Sequence, residues 1–139
     1  MTVFREIIQF RTRGQKDMTD LTGQVVNIIR KSKIQEGIVH VFNIGSTGSI
    51  GTIEFEPGLK KDYTDLMERI APQGASYAHE EAWHDGNGHS HLQASLAGPG
   101  VTLPVSRGSL MTGNWQQVFH FEADNKPHQR QIVVTVIGE

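Results

Sequence analysis

The chain has 139 residues, of which 37% are hydrophobic and 20% charged, a composition typical of one globular domain with its own core. The formal net charge is -2, so the positive field that nucleic-acid binding needs is missing, and we expect no nucleic-acid partner. The absence of cysteine excludes disulfides, thiolate metal ligands and a cysteine nucleophile. Without repeats or linkers, residues 1–139 are expected to form a single domain.

Hydropathy gives no indication of a membrane partner. No apolar run approaches the roughly 20 residues that cross a bilayer. Glu6 interrupts the apolar stretch that a signal peptide would need. We therefore expect a cytoplasmic protein.

The chain is predicted to begin with a strand and an amphipathic helix. Apolar and polar side chains alternate imperfectly over residues 2–11, which indicates the strand. The apolar residues that follow with helical spacing are Leu21, Val25, Ile28 and Ile29. They predict a helix with one buried face. Asp17 or Thr19 is the expected N-cap, because a short side-chain oxygen can accept a first-turn amide, and Gly37 is expected to close the segment.

Two short strands and a second helix are expected next. Residues 38–42 and 52–55 are rich in β-branched side chains, which indicates strands, and Pro57 is expected to stop the second one. Apolar residues then recur at helical spacing as Leu59, Tyr63, Leu66 and Ile70. This pattern predicts a helix that ends before Pro72.

The second half of the chain combines a long loop with strands. Residues 73–90 show no periodicity, and a loop of this length inside a domain usually carries function. Ser90 is expected to cap a short helix that runs to Leu96. The remaining strands are predicted at residues 101–105, around Leu110, and at 115–121 and 131–137. Helices early and strands late indicate an α+β fold.

Histidines are concentrated in the aperiodic segment. Four of the seven in the chain are His79, His84, His89 and His91. Imidazole is a common zinc ligand, but three or four ligands must converge. His89 and His91 share a face if their segment is extended, and they diverge if a helix begins at Ser90. Each histidine alone is compatible with an exposed loop residue, whereas the cluster favours a functional site.

A glycine-rich stretch at residues 45–51 is a second candidate. Glycines let backbone amides approach an anion, and Ser46 and Thr47 add hydroxyl groups. The stretch lacks the Gly-Lys-Ser/Thr ending of a nucleotide phosphate loop and leads into a strand, so no ATP or GTP site is expected. A single phosphate or pyrophosphate group fits it. A glycine-permitted bend between strands explains it equally well.

Two further groups are chemically suggestive but have simpler explanations. Glu54 and Glu56 share a side of an extended segment and could act as bases or ligands, although a solvated strand face is the more common role. Trp115 follows a glycine turn and precedes two amides, and we expect it to anchor the core.

Several blocks along almost the whole chain resemble the YjbQ family of small proteins, also called UPF0047. In chain order they are Glu54-Phe55-Glu56-Pro57-Gly58 with Asp62, Tyr77-Ala78-His79, Asp85-Gly86-Asn87-Gly88-His89-Ser90-His91-Leu92, Ala94-Ser95-Leu96-Ala97-Gly98-Pro99, Val101-Thr102-Leu103-Pro104-Val105 and Gly113-Asn114-Trp115-Gln116-Gln117. Because long blocks match in the expected order, the resemblance is specific.

The resemblance implies an α+β fold, with a β-sandwich-like core of mixed or antiparallel sheets flanked by two main helices and one short helix. It implies a homotrimer with thiamine-phosphate synthase-like activity, a weak coupling of an aminopyrimidine pyrophosphate with a thiazole phosphate. It also implies a histidine pocket that can hold a metal such as zinc, with phosphate or sulfate nearby. By position, His79 and His91 match the family's site histidines, and Glu54 and Asn87 match polar residues of its pocket.

Gly45 departs from the family pattern. Many members carry a His-Thr-Ser/Thr-Ala motif where this chain has residues 45–48, so one candidate metal ligand is missing. Either His79, His89 and His91 hold the metal, or this branch of the family binds metal weakly or not at all. The hydroxyl of Thr47 is kept, which favours the anion-binding role of this stretch over a metal-binding role.

The leading hypothesis is therefore a thiamine-phosphate synthase-like enzyme acting on a phosphorylated small molecule. The expected catalytic residues are His79, His91, Asn87 and Glu54. The expected phosphate-binding residues are Ser46, Thr47, Gly48 and Arg130. Two alternatives are a metal-dependent hydrolase, in which a metal would lower the pKa of bound water, and a non-catalytic trimeric module that binds a phosphorylated metabolite or a metal.

Overall fold

Two antiparallel sheets form the framework in the computed structural model, which describes all 139 residues. The strands are β1 (Thr2–Arg11), β2 (Met18–Asp20), β3 (Gly37–Asn43), β4 (Gly48–Ile53), β5 (Gly100–Ser106), β6 (Ser109–Leu110), β7 (Gln117–Glu122) and β8 (Gln129–Gly138). One sheet has five strands in the order β1-β8-β3-β5-β6, and the other has three in the order β2-β7-β4. Every pair is antiparallel, so no mixed sheet is present.

Four helices complete the α+β fold and confirm the predicted class. They are α1 (Thr22–Ser32), α2 (Pro57–Ile70), α3 (Ala78–Trp83) and α4 (Gly88–Ala97). None of them is long and apolar enough to cross a membrane.

Apolar side chains divide the molecule into layers. The main core lies between the two sheets and includes Val39, Val134 and the α1 residues Val25 and Ile29. A smaller cluster packs α2 and α4 against the other face of the three-stranded sheet. Burial of each such side chain contributes roughly 1.5–3 kcal/mol. The outer face of the five-stranded sheet carries no helix, so one broad surface of the chain is left uncovered.

The start of α1 differs from its prediction. Asp17 and Thr19 do not cap the helix, because β2 pairs with β7 and places Thr19 opposite His120. Asp20 takes the capping role, and its Oδ1 accepts a hydrogen bond of 2.9 Å from the Thr22 amide.

The end of α1 also differs. The helix ends at Ser32, before a left-handed Lys33 with φ of 61°. Gly37 therefore does not close it but begins β3, where a Cβ would lie 2.0 Å from the Ile137 carbonyl oxygen. This close approach of two strands requires glycine.

The glycine-rich stretch is largely a strand rather than a bend. β4 begins at Gly48 because its backbone pairs with β7, and only residues 44–47 connect it to β3. A Cβ on Gly48 would lie 2.6 Å from His120 Nε2. Glycine at this position therefore lets the buried imidazole lie directly against the strand.

The second predicted helix is confirmed as α2, with a different buried face. Pro57 is its first residue rather than a strand stop, and Glu56 caps it by accepting a 2.9 Å hydrogen bond from the Gly58 amide. Met67 is buried, whereas Leu66 and Ile70 remain 42% and 50% exposed. The apolar spacing therefore locates the helix but not the residues that it buries.

The segment 73–90 is not a continuous loop. It contains α3, and α4 begins at Gly88, so Ser90 lies within the helix instead of capping it. The six residues of α3 bury no side chain, which is why no apolar periodicity marks it. This pair of helices carries the histidine cluster.

Candidate functional site

His79 and His91 come together where α3 and α4 meet. Their ring centroids lie 4.6 Å apart at an interplanar angle of 57°. Both imidazoles line a pocket of about 260 Å³, together with Tyr77, Gly88 and Leu92. The two histidines singled out by the resemblance are therefore neighbours on the surface of the fold.

Asp85 and Asn87 place polar groups against His79. With its amide nitrogen turned toward them, Asn87 donates 2.7 Å and 3.0 Å hydrogen bonds to Asp85 Oδ1 and His79 Nε2. This orientation is assigned because it sets a donor against two acceptors. Asp85 Oδ1 also lies 3.3 Å from His79 Nε2. His79 therefore accepts from Asn87 when it is neutral, and when protonated it pairs with Asp85.

The junction between α3 and α4 depends on a glycine and a carboxylate. Glu80 Oε1 accepts a 2.8 Å hydrogen bond from the Gly88 amide at the start of α4. A Cβ on Gly88 would come within 2.8 Å of Tyr77 Cβ and 2.9 Å of Glu80 Oε2. The contact between the helices requires the absence of this side chain. Glu80 and Gly88 thus set the position of His91 relative to His79.

His91 also borders a second pocket, which contains part of the glycine-rich stretch. This pocket encloses about 440 Å³ and is lined by Gly45, Ser46 and Gly48 on one side and by α4 on the other. Three of the residues expected to act at the site, His91, Ser46 and Gly48, are therefore brought to one place. Thr47 is instead buried, and its hydroxyl accepts a 3.0 Å hydrogen bond from Arg130 Nη2.

Arg130 lies behind Gly45 and is held by a buried carboxylate. Its Nε donates a 2.8 Å hydrogen bond to Glu122 Oε1, and its Nη2 is paired with Glu122 Oε2. Thr12 donates a further 2.7 Å hydrogen bond to the same carboxylate. Nη1 makes no hydrogen bond within the chain and would lie 2.9 Å from a Cβ on Gly45. The charge of Arg130 is therefore mostly satisfied internally, with one nitrogen facing Gly45.

A second pair that sequence reasoning did not find joins the buried carboxylate of Asp124 to the partly exposed His128 beside this network. His128 Nε2 lies 2.7 Å from Asp124 Oδ2. Burial raises the pKa of Asp124, but hydrogen bonds from His128, from the Asn125 amide and from Thr47 outweigh burial and lower that pKa overall. The only signal in the sequence was the charged and polar residues in a strand-rich segment. Their partners depend on tertiary structure.

His89 does not join His79 and His91. It is buried, and its Nε2 lies 3.3 Å from the Ser90 hydroxyl. Burial lowers the pKa of His89 and so favours its neutral form. Both residues lie in α4, so their side chains diverge around the helix. The segment is helical rather than extended, and a shared face is excluded.

The donor set of the chain does not fit a resident zinc ion. No group of three or more His, Asp or Glu side chains is arranged to hold a metal. A zinc site normally takes three or four converging ligands, whereas here His79 and His91 meet, Asp85 pairs with His79, and residue 45 is a glycine without a ligating side chain.

Glu54 lies apart from the histidines. It lines a different pocket of about 340 Å³ with Asp20, Asn114 and Trp115. Trp115 is 74% exposed, so the expectation that it anchors the core is wrong. Within one chain, Glu54 and His91 share no pocket.

The protein-family model described as "UPF0047 protein YjbQ-like" matches residues 6–139. A UPF0047 protein of Methanothermobacter thermautotrophicus is 37% identical over 139 residues, covering 100% of this chain and 95% of the relative. A UPF0047 protein of Archaeoglobus fulgidus is 31% identical, covering 94% of this chain and 98% of the relative.

Solved structures agree with these matches. A YbjQ-like protein of unknown function from Sulfolobus solfataricus P2 superimposes with a TM-score of 0.93 at 32% identity, covering 99% of both chains. A hypothetical protein from Aeropyrum pernix K1 gives a TM-score of 0.85 at 25% identity, covering 96% of this chain and 99% of the other. On this agreement of sequence and fold over its full length, the chain belongs to the YjbQ-like family of UPF0047 proteins.

Proposed function

We propose that this protein is an enzyme that acts on a phosphorylated small molecule in the pockets that meet at His91. The observation that carries the proposal is the position of His91, which contacts His79 on one side and borders Ser46 and Gly48 on the other. An imidazole pair beside a hydroxyl-bearing, glycine-rich segment combines proton transfer with anion binding.

The specific reaction we propose is thiamine-phosphate synthase-like coupling. In this reaction the C–O bond between the aminopyrimidine methylene and pyrophosphate breaks, and its electron pair leaves with pyrophosphate. The lone pair of the thiazole nitrogen forms the new C–N bond. Protonated His91 would neutralise the departing pyrophosphate, Ser46 would donate to it, and the Nη1 of Arg130 behind Gly45 would add positive charge.

His79 supports the charge of His91 in this scheme, because the coupling itself transfers no proton and builds up negative charge only on the departing pyrophosphate. Asp85 and Asn87 can accommodate either protonation state of its Nε2, as their distances from the ring indicate. A positive charge on His79 would therefore be paired with Asp85 while pyrophosphate departs.

We propose that the active form is a homotrimer in which the uncovered sheet face is buried. On that face the strand register aligns Val3, Ile137 and Ile38 across β1, β8 and β3. The same register aligns Ile7, Val133 and Phe42 in a parallel row. Aligned exposed apolar rows of this kind are typical of subunit contacts, and subunit contacts would also allow a neighbouring Glu54 to reach a shared pocket.

Pyrophosphate release tests the proposed function. The native chain, His91→Ala and His84→Asn are supplied with the aminopyrimidine pyrophosphate and the thiazole phosphate. His84 is exposed with φ of 57°, and Asn tolerates this conformation, so His84→Asn is a matched control. We expect activity in the native chain and the control, and a decrease of about 100-fold in His91→Ala.

Two results would contradict the proposal. Equal rates in native chain and His91→Ala would remove His91 from the mechanism. No coupling by the native chain would exclude the proposed reaction, and bound pyrophosphate without turnover would then identify a binding module.

A further inference from the structure

A third concave surface lies at the connection between β1 and β2. It encloses about 410 Å³ and is lined by residues 13–18, by Lys60 of α2 and by Asn125. It shares no lining residue with the pockets at His91. Left-handed conformations at Gly14 and Lys16, with φ of 95° and 65°, shape its loop. This pocket has no role in the function proposed above.

Cationic residues dominate this pocket. Its one carboxylate, Asp17, is already engaged by Arg13, through a 2.9 Å hydrogen bond from the backbone amide and a 3.2 Å contact from Nη2. Lys16 lies 3.7 Å from Glu68, and both of these side chains are partly exposed. Lys60 forms no ion pair within the chain. The pocket is therefore locally positive in a chain of net charge -2, and the ammonium group of Lys60 is available to pair with an anion.

Lys60 is also held in place. Its Nζ lies 4.3 Å from the centroid of the Phe55 ring, a cation–π contact that restricts a normally flexible side chain. An ammonium group that is already positioned loses less conformational entropy when it binds an anion.

The backbone and side chains of the pocket leave further polar groups unused. The amides of Gly14 and Gln15 donate to no acceptor in the chain. Asn125 Oδ1 is buried without a donor, while its Nδ2 donates a 3.3 Å hydrogen bond to the Gly86 carbonyl. A buried acceptor without a partner costs about 1–3 kcal/mol. A ligand with a donor group would remove this cost.

We propose that this pocket binds the phosphoryl group of a small metabolite that also carries a hydroxyl group. Lys60, Lys16 and the loop amides pair with the phosphoryl oxygens, since charge-assisted hydrogen bonds and unpaired amides favour such an anion. The side chain of Asn125, which lines the pocket, turns its amide oxygen toward the ligand and accepts a hydrogen bond from the hydroxyl group. Free phosphate satisfies the first set of contacts, and a sugar phosphate satisfies both. This proposal is independent of the reaction at His91.

Calorimetric titration of the full chain tests the proposal with inorganic phosphate, glucose 6-phosphate and glucose as probes. We expect phosphate to bind, glucose 6-phosphate to bind more tightly, and glucose not to bind. Lys60→Gln is expected to weaken glucose 6-phosphate binding about tenfold, as loss of one charge-assisted contact implies. Lys61→Gln is the matched control, because its ammonium group pairs with Asp65 at 2.6 Å and does not line the pocket.

The amide resonances of Gly14 and Gln15 report where the anion binds. They are expected to shift with glucose 6-phosphate in the native chain and in Lys61→Gln. Equal weakening by Lys60→Gln and Lys61→Gln would show attraction to general surface charge and overturn the proposal. Absence of phosphate binding would do the same. Equal affinities for phosphate and glucose 6-phosphate would contradict the role of Asn125 and the metabolite assignment.

Discussion

Gly45 has a φ of 141°, and a Cβ there would lie 2.9 Å from Arg130 Nη1. Both facts require the absence of a side chain, the first for backbone strain and the second for space. The glycine therefore lets one guanidinium nitrogen lie directly behind the backbone of a residue that lines the pocket bordered by His91. At this position the chain has a buried arginine close behind the backbone.

The substitution Gly45→Ala is expected to weaken pyrophosphate binding about tenfold, because the added methyl group displaces Nη1 from its place behind the backbone. Gly74→Ala is the control, since Gly74 also has positive φ, 89°, but no atom within 4 Å of an added Cβ. Titration calorimetry in the presence of EDTA makes the comparison. If Gly45→Ala and Gly74→Ala bind pyrophosphate equally well, Arg130 does not contact the anion.

His120 is expected to make the protein acid-sensitive. Burial, followed by the charge of Arg130, lowers the pKa of His120 from 6.5 to about 3. Between these two values the unfolded chain binds a proton that the folded chain does not, so the free energy of unfolding falls as the pH falls. One such group contributes a slope of up to about 1.4 kcal/mol per pH unit.

Urea unfolding at several pH values between 7 and 4 measures this slope. His120→Gln cannot titrate, and its amide group can still donate to Asn43 Oδ1, which His120 Nε2 contacts at 3.1 Å. The variant should lose less stability on acidification than the native chain. Parallel pH profiles would mean that His120 does not cause the acid sensitivity.

At the scale of elements, the long strands and α1 and α2 could be predicted because their side chains alternate or recur along the sequence. β2 could not, because three residues form a strand only when β7 lies beside them. α3 could not, because it buries no apolar stripe.

Part of the candidate site could likewise be predicted from local sequence, and part could not. His79 and His91 were identified from local blocks of sequence. The partners of Arg130, by contrast, come from a strand of the other sheet, β7, and from the loop before β4. Glu122 and Thr12 are separated by 110 positions, and no local pattern connects residues so far apart in the sequence.

The α3–α4 junction gives a prediction at this scale. Glu80→Ala removes the acceptor for the Gly88 amide at the start of α4, which should lower the free energy of unfolding by about 1 kcal/mol. Glu80→Gln keeps an acceptor oxygen and should recover most of that loss. Glu81→Ala, an exposed neighbour on the same helix, serves as the control in urea denaturation. If Glu81→Ala lowers the free energy of unfolding as much as Glu80→Ala does, the loss comes from a general weakening of α3 and not from the contact with Gly88.

At the scale of the whole molecule, the uncovered face of the five-stranded sheet is the main feature that one chain does not explain. We predict a trimer in solution, measured by light scattering during size-exclusion chromatography. Phe42→Lys should dissociate it, because the substitution places a charge in an aligned apolar row. Leu96→Lys, at an exposed position on α4, should not. A monomeric native chain, or dissociation by Leu96→Lys alone, would contradict the assignment of the sheet face.

We propose that an anionic substrate group binds beside His79 and His91. A pyrophosphate titration followed by histidine proton resonances tests this binding site. His91→Ala assigns one of the two resonances, and exposed His84 provides an internal reference. We expect the ring protons of His79 and His91 to shift in a saturable way while those of His84 stay in place. Saturable pyrophosphate binding that leaves the His79 and His91 resonances unmoved would contradict it.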